Sequence, residues 1–381
     1  MQPTQRKDFT LGGAVLAVSL ELAKGSWKVA LYDGRRAKPA VHTVAHERAA
    51  GRLAEAVALI EATKRKWQFE EAGVVVSYEA GQDGFWIARA LSVRGYAALV
   101  VDPASTPVER HARRAKTDRL DAIRLVMSLW AWLRGERERM HPVQVPAPQD
   151  EARRHLVRER GQLQKEIGQH RDRIRKLLRT VGCWVEVADD FERRLAQGAV
   201  VCHDGEPLPT QLGARLAREC ERLALARRQL QALATALTEE LPQAVRERIE
   251  QLRQLKGVGQ VGATRLMLEL FWRDFANRRQ VGSCVGLVPQ PYDSGERRVD
   301  QGISKQGNRR VRALLIEMAW FWLRYQPGSA LAGWFARRTQ GGSSKRAKRI
   351  AIVAVARKLA IALWRFVKDG VIPEGAVMKA A

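Results

Sequence analysis

Gly73-Val74-Val75-Val76-Ser77-Tyr78-Glu79 is the stretch on which the reading of this chain turns. A short apolar run rich in valine, ended by a carboxylate, carries the pattern of a buried strand. Upstream, residues 14–21 and 27–32 are β-rich runs joined by a short connection, a hairpin, and residues 41–44 supply a third antiparallel strand. The period then changes: residues 47–67 place Leu53, Val57, Leu59 and Ile60 at helical spacing. Downstream, residues 85–93 read as a helix, 97–102 as a strand and 117–133 as a helix.

The order is therefore three strands, helix, strand, helix, strand, helix, with the later strands joined by crossovers and parallel. That is the order of an α/β ribonuclease H-like domain, assigned here to residues 1–145. His141-Pro142-Val143-Gln144-Val145-Pro146-Ala147-Pro148 breaks the pattern with its prolines and reads as a linker. Beyond it Leu156, Leu163, Ile167, Ile174 and Leu177 keep a near-heptad, and Leu216, Leu223, Leu230 and Leu237 recur at every seventh position. Two long helices around a loop at 181–209 predict an antiparallel coiled-coil hairpin over residues 146–248, either a dimerisation arm or a self-packed pair. Residues 249–381 read as a mostly α-helical C-terminal domain. It has turns at 257–262, a loop at 289–308, helices at 309–325 and 346–367, and Gly341-Gly342-Ser343-Ser344 as a joint before the last helix.

The 381 residues carry 66 Lys plus Arg against 41 Asp plus Glu, a formal net charge of +25, and 46% of the chain is hydrophobic. That hydrophobic content excludes a disordered basic tail protein, so the charge decorates folded domains. A folded protein this basic points to a polyanionic partner, because neutralising phosphates releases counterions and gives affinity independent of sequence. Nucleic acid leads, ahead of the ribosome or a membrane surface. Cys183, Cys202, Cys220 and Cys284 show no CxxC pairing, which argues against a zinc site or disulfide framework. Cys202-His203 is half of a metal site without a second half. No stretch approaches the roughly 20 apolar residues of a membrane span, and the chain reads as cytoplasmic.

Four carboxylates stand out in the α/β segment. Glu21 falls on the first strand and Glu79 at the end of the first parallel strand, while Asp118 and Asp121 share one face at the start of a helix. Functional groups in open α/β sheets collect beyond the carboxyl ends of strands. Clustered carboxylates repel unless a cation joins them. Mg²⁺ suits such a cluster: one ion, or two roughly 4 Å apart, activates an attacking oxygen and stabilises a leaving one. The bland reading makes Glu21 and Glu79 solvated strand ends and Asp118 an acid favoured by the helix dipole.

In the last third, Gly286-Leu287-Val288-Pro289 leads through Tyr292-Asp293-Ser294-Gly295 to Ile303-Ser304-Lys305-Gln306-Gly307-Asn308. Ser294 alone is a turn residue by composition. Its setting adds Arg297, Arg298, Lys305, Arg309, Arg310 and Arg312, guanidinium and ammonium groups suited to holding a phosphate while a serine attacks it. A serine nucleophile would form a phosphoester that conserves the bond for rejoining. Gly257-Val258-Gly259-Gln260-Val261-Gly262 matches GxGxxG but follows a charged helix and lacks a βαβ unit. Leu255-Lys256-Gly257-Val258-Gly259 between two helices looks instead like a helix-hairpin-helix, whose backbone amides can contact nucleic-acid phosphates, with Lys256 a candidate contact. No GxxxxGK[ST] sequence supports ATP-driven action.

With these residues in hand, the chain resembles the DEDD-type insertion-sequence transposases, the class that includes Piv-like invertases. The resemblance covers most of its length. Tyr78-Glu79-Ala80-Gly81 with Gly84-Phe85-Trp86, and Lys116-Thr117-Asp118-Arg119-Leu120-Asp121-Ala122, match the later acidic motifs; Gly286–Pro289, Ser294-Gly295 and Ile303–Asn308 with Arg312 match the C-terminal domain. Leu20-Glu21-Leu22-Ala23-Lys24 departs from the family's Gly-Ile-Asp-Val pattern, putting glutamate where aspartate is usual. The resemblance implies a RuvC-like N-terminal domain holding Mg²⁺ through Glu21, Glu79, Asp118 and Asp121, and Ser294 as nucleophile. It also implies donor and target DNA as partners, a structured non-coding guide RNA (bridge RNA) that pairs with both, and a homodimer assembling into a homotetramer at the nucleoid. The absence of a helix-turn-helix or zinc finger agrees with sequence reading delegated to RNA. Arg113 and Arg114, with Lys64, Arg65, Lys66, Lys345, Arg346 and Lys348, are further candidate backbone contacts. The competing readings are a RuvC-like junction-resolving nuclease with a structural Ser294, and a non-catalytic basic RNA-binding scaffold. A tyrosine recombinase using Tyr292 lacks the Arg/His constellation.

Overall fold

The computed structural model describes residues 13–106, 117–295, 297–339 and 344–379. They divide into two compact units, 1–146 and 147–381. The first holds β1 (Val15–Leu22), β2 (Ser26–Tyr32), β3 (Ala40–Ala45), α1 (Ala49–Lys66), β4 (Gly73–Glu79), α2 (Trp86–Val93), β5 (Ala97–Val101) and α3 (Asp118–Leu133). Its sheet runs β3-β2-β1-β4-β5. The first three strands pair antiparallel, whereas β4 and β5 join β1 in parallel after helical crossovers. The element order expected from the sequence holds.

Alternation along each strand sorts the sheet's two faces. Leu16, Val18 and Leu20 of β1 and Val74, Val76 and Tyr78 of β4 pack with Leu53 and Ile60 of α1 and Ile87 and Leu91 of α2. Ala17, Ala30, Val75 and Val101 face the other way, onto Leu125, Val126 and Leu129 of α3. Burial on both faces is the reason β1 and β4 read as nearly continuous apolar runs.

The second unit is mostly helical: α4 (Pro148–Arg179), α5 (Phe191–Ala196), α6 (Thr210–Glu239), α7 (Gln243–Arg253), α8 (Gln260–Glu269), α9 (Arg278–Cys284), β6 (Pro289–Ser294), β7 (Arg297–Ile303), α10 (Arg309–Tyr325), α11 (Ala330–Thr339) and α12 (Lys345–Asp369). Helices α4 and α6 run antiparallel. Leu163 meets Ala226 and Leu233 in one stretch, and Ile174 and Leu178 meet Leu216, Cys220 and Leu223 in another. The buried carboxylate of Glu219 on α6 accepts hydrogen bonds from His170 (2.7 Å) and Arg173 (2.9 Å) of α4. The leucine seam is thus closed within the chain, and any contact this arm makes with another copy has to use its outer face.

Three sequence-based expectations need revision here. The loop at 181–209 contains α5, whose Phe191 is buried against the helix pair. The border drawn at 248/249 falls inside α7, and Val157 of α4 and Leu237 of α6 share one core with Ile249, Leu266, Leu315, Val355 and Leu359. The arm and the C-terminal helices therefore pack as one unit. The stretch 289–308, read as a loop, contains the β6–β7 hairpin. Of the predicted joint at 341–344, residues 341–343 lie outside the described residues.

Candidate active site

The acidic corner is built by strand register. Leu20 and Tyr78 are partners on adjacent parallel strands, so Glu21 and Glu79 follow at the same level. Because Leu20 and Tyr78 are buried in the α1/α2 layer, alternation sends Glu21 and Glu79 toward the α3 side of the sheet. Helix α3 begins there. Thr117 caps it, Oγ1 accepting from the Leu120 N–H at 3.3 Å, and Asp118 and Asp121 occupy its first turn, where the helix dipole favours acids. Ser19, two residues before Glu21 on the same face, donates from Oγ to the Ala122 carbonyl at 2.7 Å. This buried bond ties the aspartate-bearing turn to β1. All four predicted acids thus lie at one end of one face.

Closer inspection separates them. Arg124 donates to Asp121 Oδ1 at 2.9 Å, and Thr106 Oγ1 donates to Glu79 Oε1 at 3.5 Å. Asp118 is exposed at the helix start. Among the described residues, no three His, Cys, Asp or Glu side chains are gathered closely enough to hold a metal ion. In kind, the all-oxygen donor set fits a hard divalent cation. The corner places four carboxylates at one end of the sheet's α3 face, with Asp121 engaged by an arginine.

Ser294 belongs to the second unit, as the last residue of β6 and paired with Arg297 across the hairpin tip. It is exposed, as are all six residues of β6. Gly295 follows at φ 57°, the positive value a tight hairpin turn demands at its first central position. The hairpin's base, in contrast, is clamped. Ser304 and Lys305 donate backbone N–H groups to the Val288 and Gly286 carbonyls (2.9 and 3.1 Å), and the Asn308 N–H donates to Cys284 (2.8 Å). Gly286 has no room for a side chain: a Cβ there would collide with the Gln306 carbonyl. Lys305 holds a left-handed φ of 56°, a local strain that these bonds sustain.

Asn308 also caps α10, Oδ1 accepting from the N–H groups of Arg310 and Val311. Its Nδ2 donates to Glu269 Oε2 at 3.0 Å, and Arg158 Nε donates to Glu269 Oε1 at 3.0 Å. Glu269 is 3% exposed. Burial pushes its pKa up, but the hydrogen bond and charge of Arg158, with help from Asn308, hold the carboxyl below its ordinary range. Glu269 thus links the long helix α4 to the base of the serine hairpin, a role the sequence reading missed. The signal was a lone acid in the apolar run Leu266-Met267-Leu268-Glu269-Leu270-Phe271.

The predicted basic contacts divide. Lys305, Arg309 and Arg310 are exposed; Arg312 is half-buried and donates to the Val285 carbonyl at 3.1 Å, bracing the Gly286 turn. Arg297 and Arg298 lie on β7, but their side chains are outside the described residues, as are Arg113 and Arg114 entirely. Lys256 is exposed in the turn between α7 and α8. Its backbone is already engaged, N–H to Val377 (3.1 Å) and carbonyl from Gln326 Nε2 (2.9 Å), so only its ammonium remains to meet a phosphate. Cys183, Cys202, Cys220 and Cys284 form no disulfide, and burial pushes the Cys220 thiol up to about 11. Among the described residues no helix is long and apolar enough to cross a membrane.

A five-stranded sheet of this order, with acids at adjacent parallel strand ends and at a helix start, followed by a mostly helical unit, fits a ribonuclease H-like DEDD fold. Comparison with known proteins agrees: a DEDD profile described as Transposase matches residues 20–182, and one described as Transposase IS116/IS110/IS902 family matches residues 249–332. A Sinorhizobium fredii protein assigned to the transposases, y4rJ, is 41% identical over 381 residues, covering 96% of this chain and 95% of its own. The transposase for insertion sequence element IS1328 of Yersinia enterocolitica is 25% identical over 302 residues, 78% of this chain and 85% of its own. The chain belongs to the IS110-type DEDD transposase family, and it is a transposase.

Proposed function

We propose that this transposase cuts and rejoins DNA strands through Ser294. The serine Oγ attacks a phosphodiester phosphorus, a serine–phosphate bond forms as one P–O bond to the strand breaks, and the departing strand oxygen takes up a proton. Attack by another strand's hydroxyl on the phosphoserine reverses the exchange and releases the serine. The observation that carries this reading is the exposed position of Ser294 at the tip of a hairpin whose base is clamped and leads into exposed Lys305, Arg309 and Arg310. Glu21, Glu79, Asp118 and Asp121 would hold Mg²⁺, whose chemistry is charge stabilisation at the reacting phosphate. Arg124 keeps Asp121 oriented and its charge compensated.

The partners in this reading are donor and target DNA and a structured guide RNA, with the protein working in the cytoplasm at the nucleoid as a homodimer that pairs into a homotetramer. We divide the labour between a RuvC-like part (1–145) and a second part in which a coiled-coil arm and the C-terminal helices, with a helix-hairpin-helix at Lys256, share one core. The test is direct. Incubated with element-end DNA, its RNA and Mg²⁺, the wild type should yield a protein–DNA adduct that survives denaturation, and Ser294→Ala should yield none while still binding both nucleic acids. Cleaved DNA without an adduct would instead identify a hydrolytic, junction-resolving nuclease, and binding without cleavage a non-catalytic scaffold.

A further inference from the structure

The solvent-facing stripe of α10 changes character along its length. It begins with Arg309 and Arg310, passes Ala313 and Glu317, and ends in Trp320, Phe321, Arg324 and Tyr325. Trp320, Phe321 and Tyr325 are 47, 42 and 48% exposed. Large aromatics gathered on a surface mark a place where something docks. Their geometry is specific. The Phe321 and Tyr325 rings lie one turn apart with centroids 6.4 Å apart and planes within 25°, a stacked pair, and the Arg324 guanidinium lies 5.5 Å from the Tyr325 centroid.

This pair abuts the turn between α7 and α8. A Cβ on Gly257 would lie 3.3 Å from Tyr325 Cβ, and exposed Lys256 stands next in the chain. Lys379 reaches the same turn, its Nζ donating to the Val258 carbonyl at 3.1 Å. The stacked rings thus lie beside a guanidinium and a turn that carries the Lys256 ammonium and accepts the Lys379 ammonium. A second copy of this chain, itself at +25, would meet this positive rim with repulsion, whereas a polyanion matches it. A paired duplex keeps its base faces stacked inside and offers rings nothing but an edge. Unpaired bases offer both faces to aromatic side chains while their phosphates meet the basic ones.

We propose that Phe321, Tyr325 and Arg324, with Lys256 beside them, form a platform for an unpaired DNA segment. The proposal rests on the action of this transposase on DNA and does not depend on Ser294. The test measures binding of the full-length protein to a labelled single strand of about 12 nucleotides, to the same sequence as duplex and to its RNA counterpart. Phe321→Ala/Tyr325→Ala should weaken single-stranded DNA binding about tenfold to a hundredfold and leave duplex binding within about twofold. Tyr325→Phe should retain affinity and Tyr325→Leu should lose it, separating stacking from bulk. Lys256→Ala should reduce the salt dependence, which the aromatic variants leave unchanged. Circular dichroism confirms that each variant is folded. Wild-type single-strand binding by the double variant, or equal losses on duplex, overturns the platform. Tighter RNA binding abolished by the same substitutions overturns the choice of DNA, and loss of self-association in light scattering would give the patch to a second copy. Since no strand is cut in this assay, failure of the serine mechanism leaves its result intact.

Discussion

The acidic corner and the serine hairpin are positioned by opposite means. Glu21 and Glu79 extend from strands buried on both faces, and a buried hydrogen bond from Ser19 helps tie the aspartate turn to the sheet. Their positions follow from core packing, which fixes backbone to fractions of an ångström. Ser294 lies at the end of a two-stranded ribbon whose β6 residues are all exposed, and its position is set at the base by Gly286, Lys305, Asn308 and Glu269. Isolated two-stranded hairpins are marginal in water. One region is therefore a rigid platform; the other is an exposed serine on a hairpin whose anchoring can be loosened by one substitution.

The largest effect that distinguishes them is chemical. Ser294→Ala should lower strand cleavage by about 10⁴-fold or more in single-turnover assays, the scale for removing a nucleophile, with nucleic-acid affinity within about twofold. Next, Asp121→Asn or Glu79→Gln should lower cleavage on the order of 10²–10³-fold without moving the unfolding midpoint appreciably, since both acids lie at the sheet's rim. A large stability loss there would mean that the corner is structural.

Glu269→Gln tests the arm. Neutralising this carboxylate weakens its bond to Arg158 and leaves the hairpin base looser, so cleavage should fall about tenfold to a hundredfold while substrate affinity holds. Stability should drop by about 1–2 kcal/mol. Equal loss of affinity and rate would place Glu269 in general folding only. The smallest effect is on pH dependence. Glu269 and Glu219 both titrate below the ordinary carboxylate range because Arg158 and Asn308, and His170 and Arg173, outweigh the opposing effect of burial. A depressed folded-state pKa gives stability present above the unfolded value, about 4.3, and lost as pH falls through the folded one. Denaturant midpoints should therefore fall below about pH 4, and Glu219→Gln and Glu269→Gln should each flatten that fall.

The same contrast explains what could be read from the chain. The sheet was legible because β1 and β4 are buried on both faces and write long apolar runs, and because crossover helices leave a 3.6-residue period between them. Its acids were legible as polar ends to those runs. The hairpin was not: with both faces exposed, Pro289-Gln290-Pro291-Tyr292-Asp293-Ser294 shows no alternation, and prolines argue against a strand. The border at 248/249 failed because a leucine seam describes how two helices meet and not where their shared core ends. Glu269 and Arg158 escaped notice since 111 positions separate them and only the fold brings them together.

We propose that Ser294 on the hairpin and the carboxylates of the acidic corner serve one phosphodiester. Mass spectrometry of the denatured protein after reaction with element-end DNA, RNA and Mg²⁺ measures this most directly. A nucleotide attached to the Ser294 peptide in the wild type, greatly diminished in Asp121→Asn and absent in Ser294→Ala, is the predicted result. Undiminished attachment in Asp121→Asn, or a nucleotide on any other residue, would contradict it.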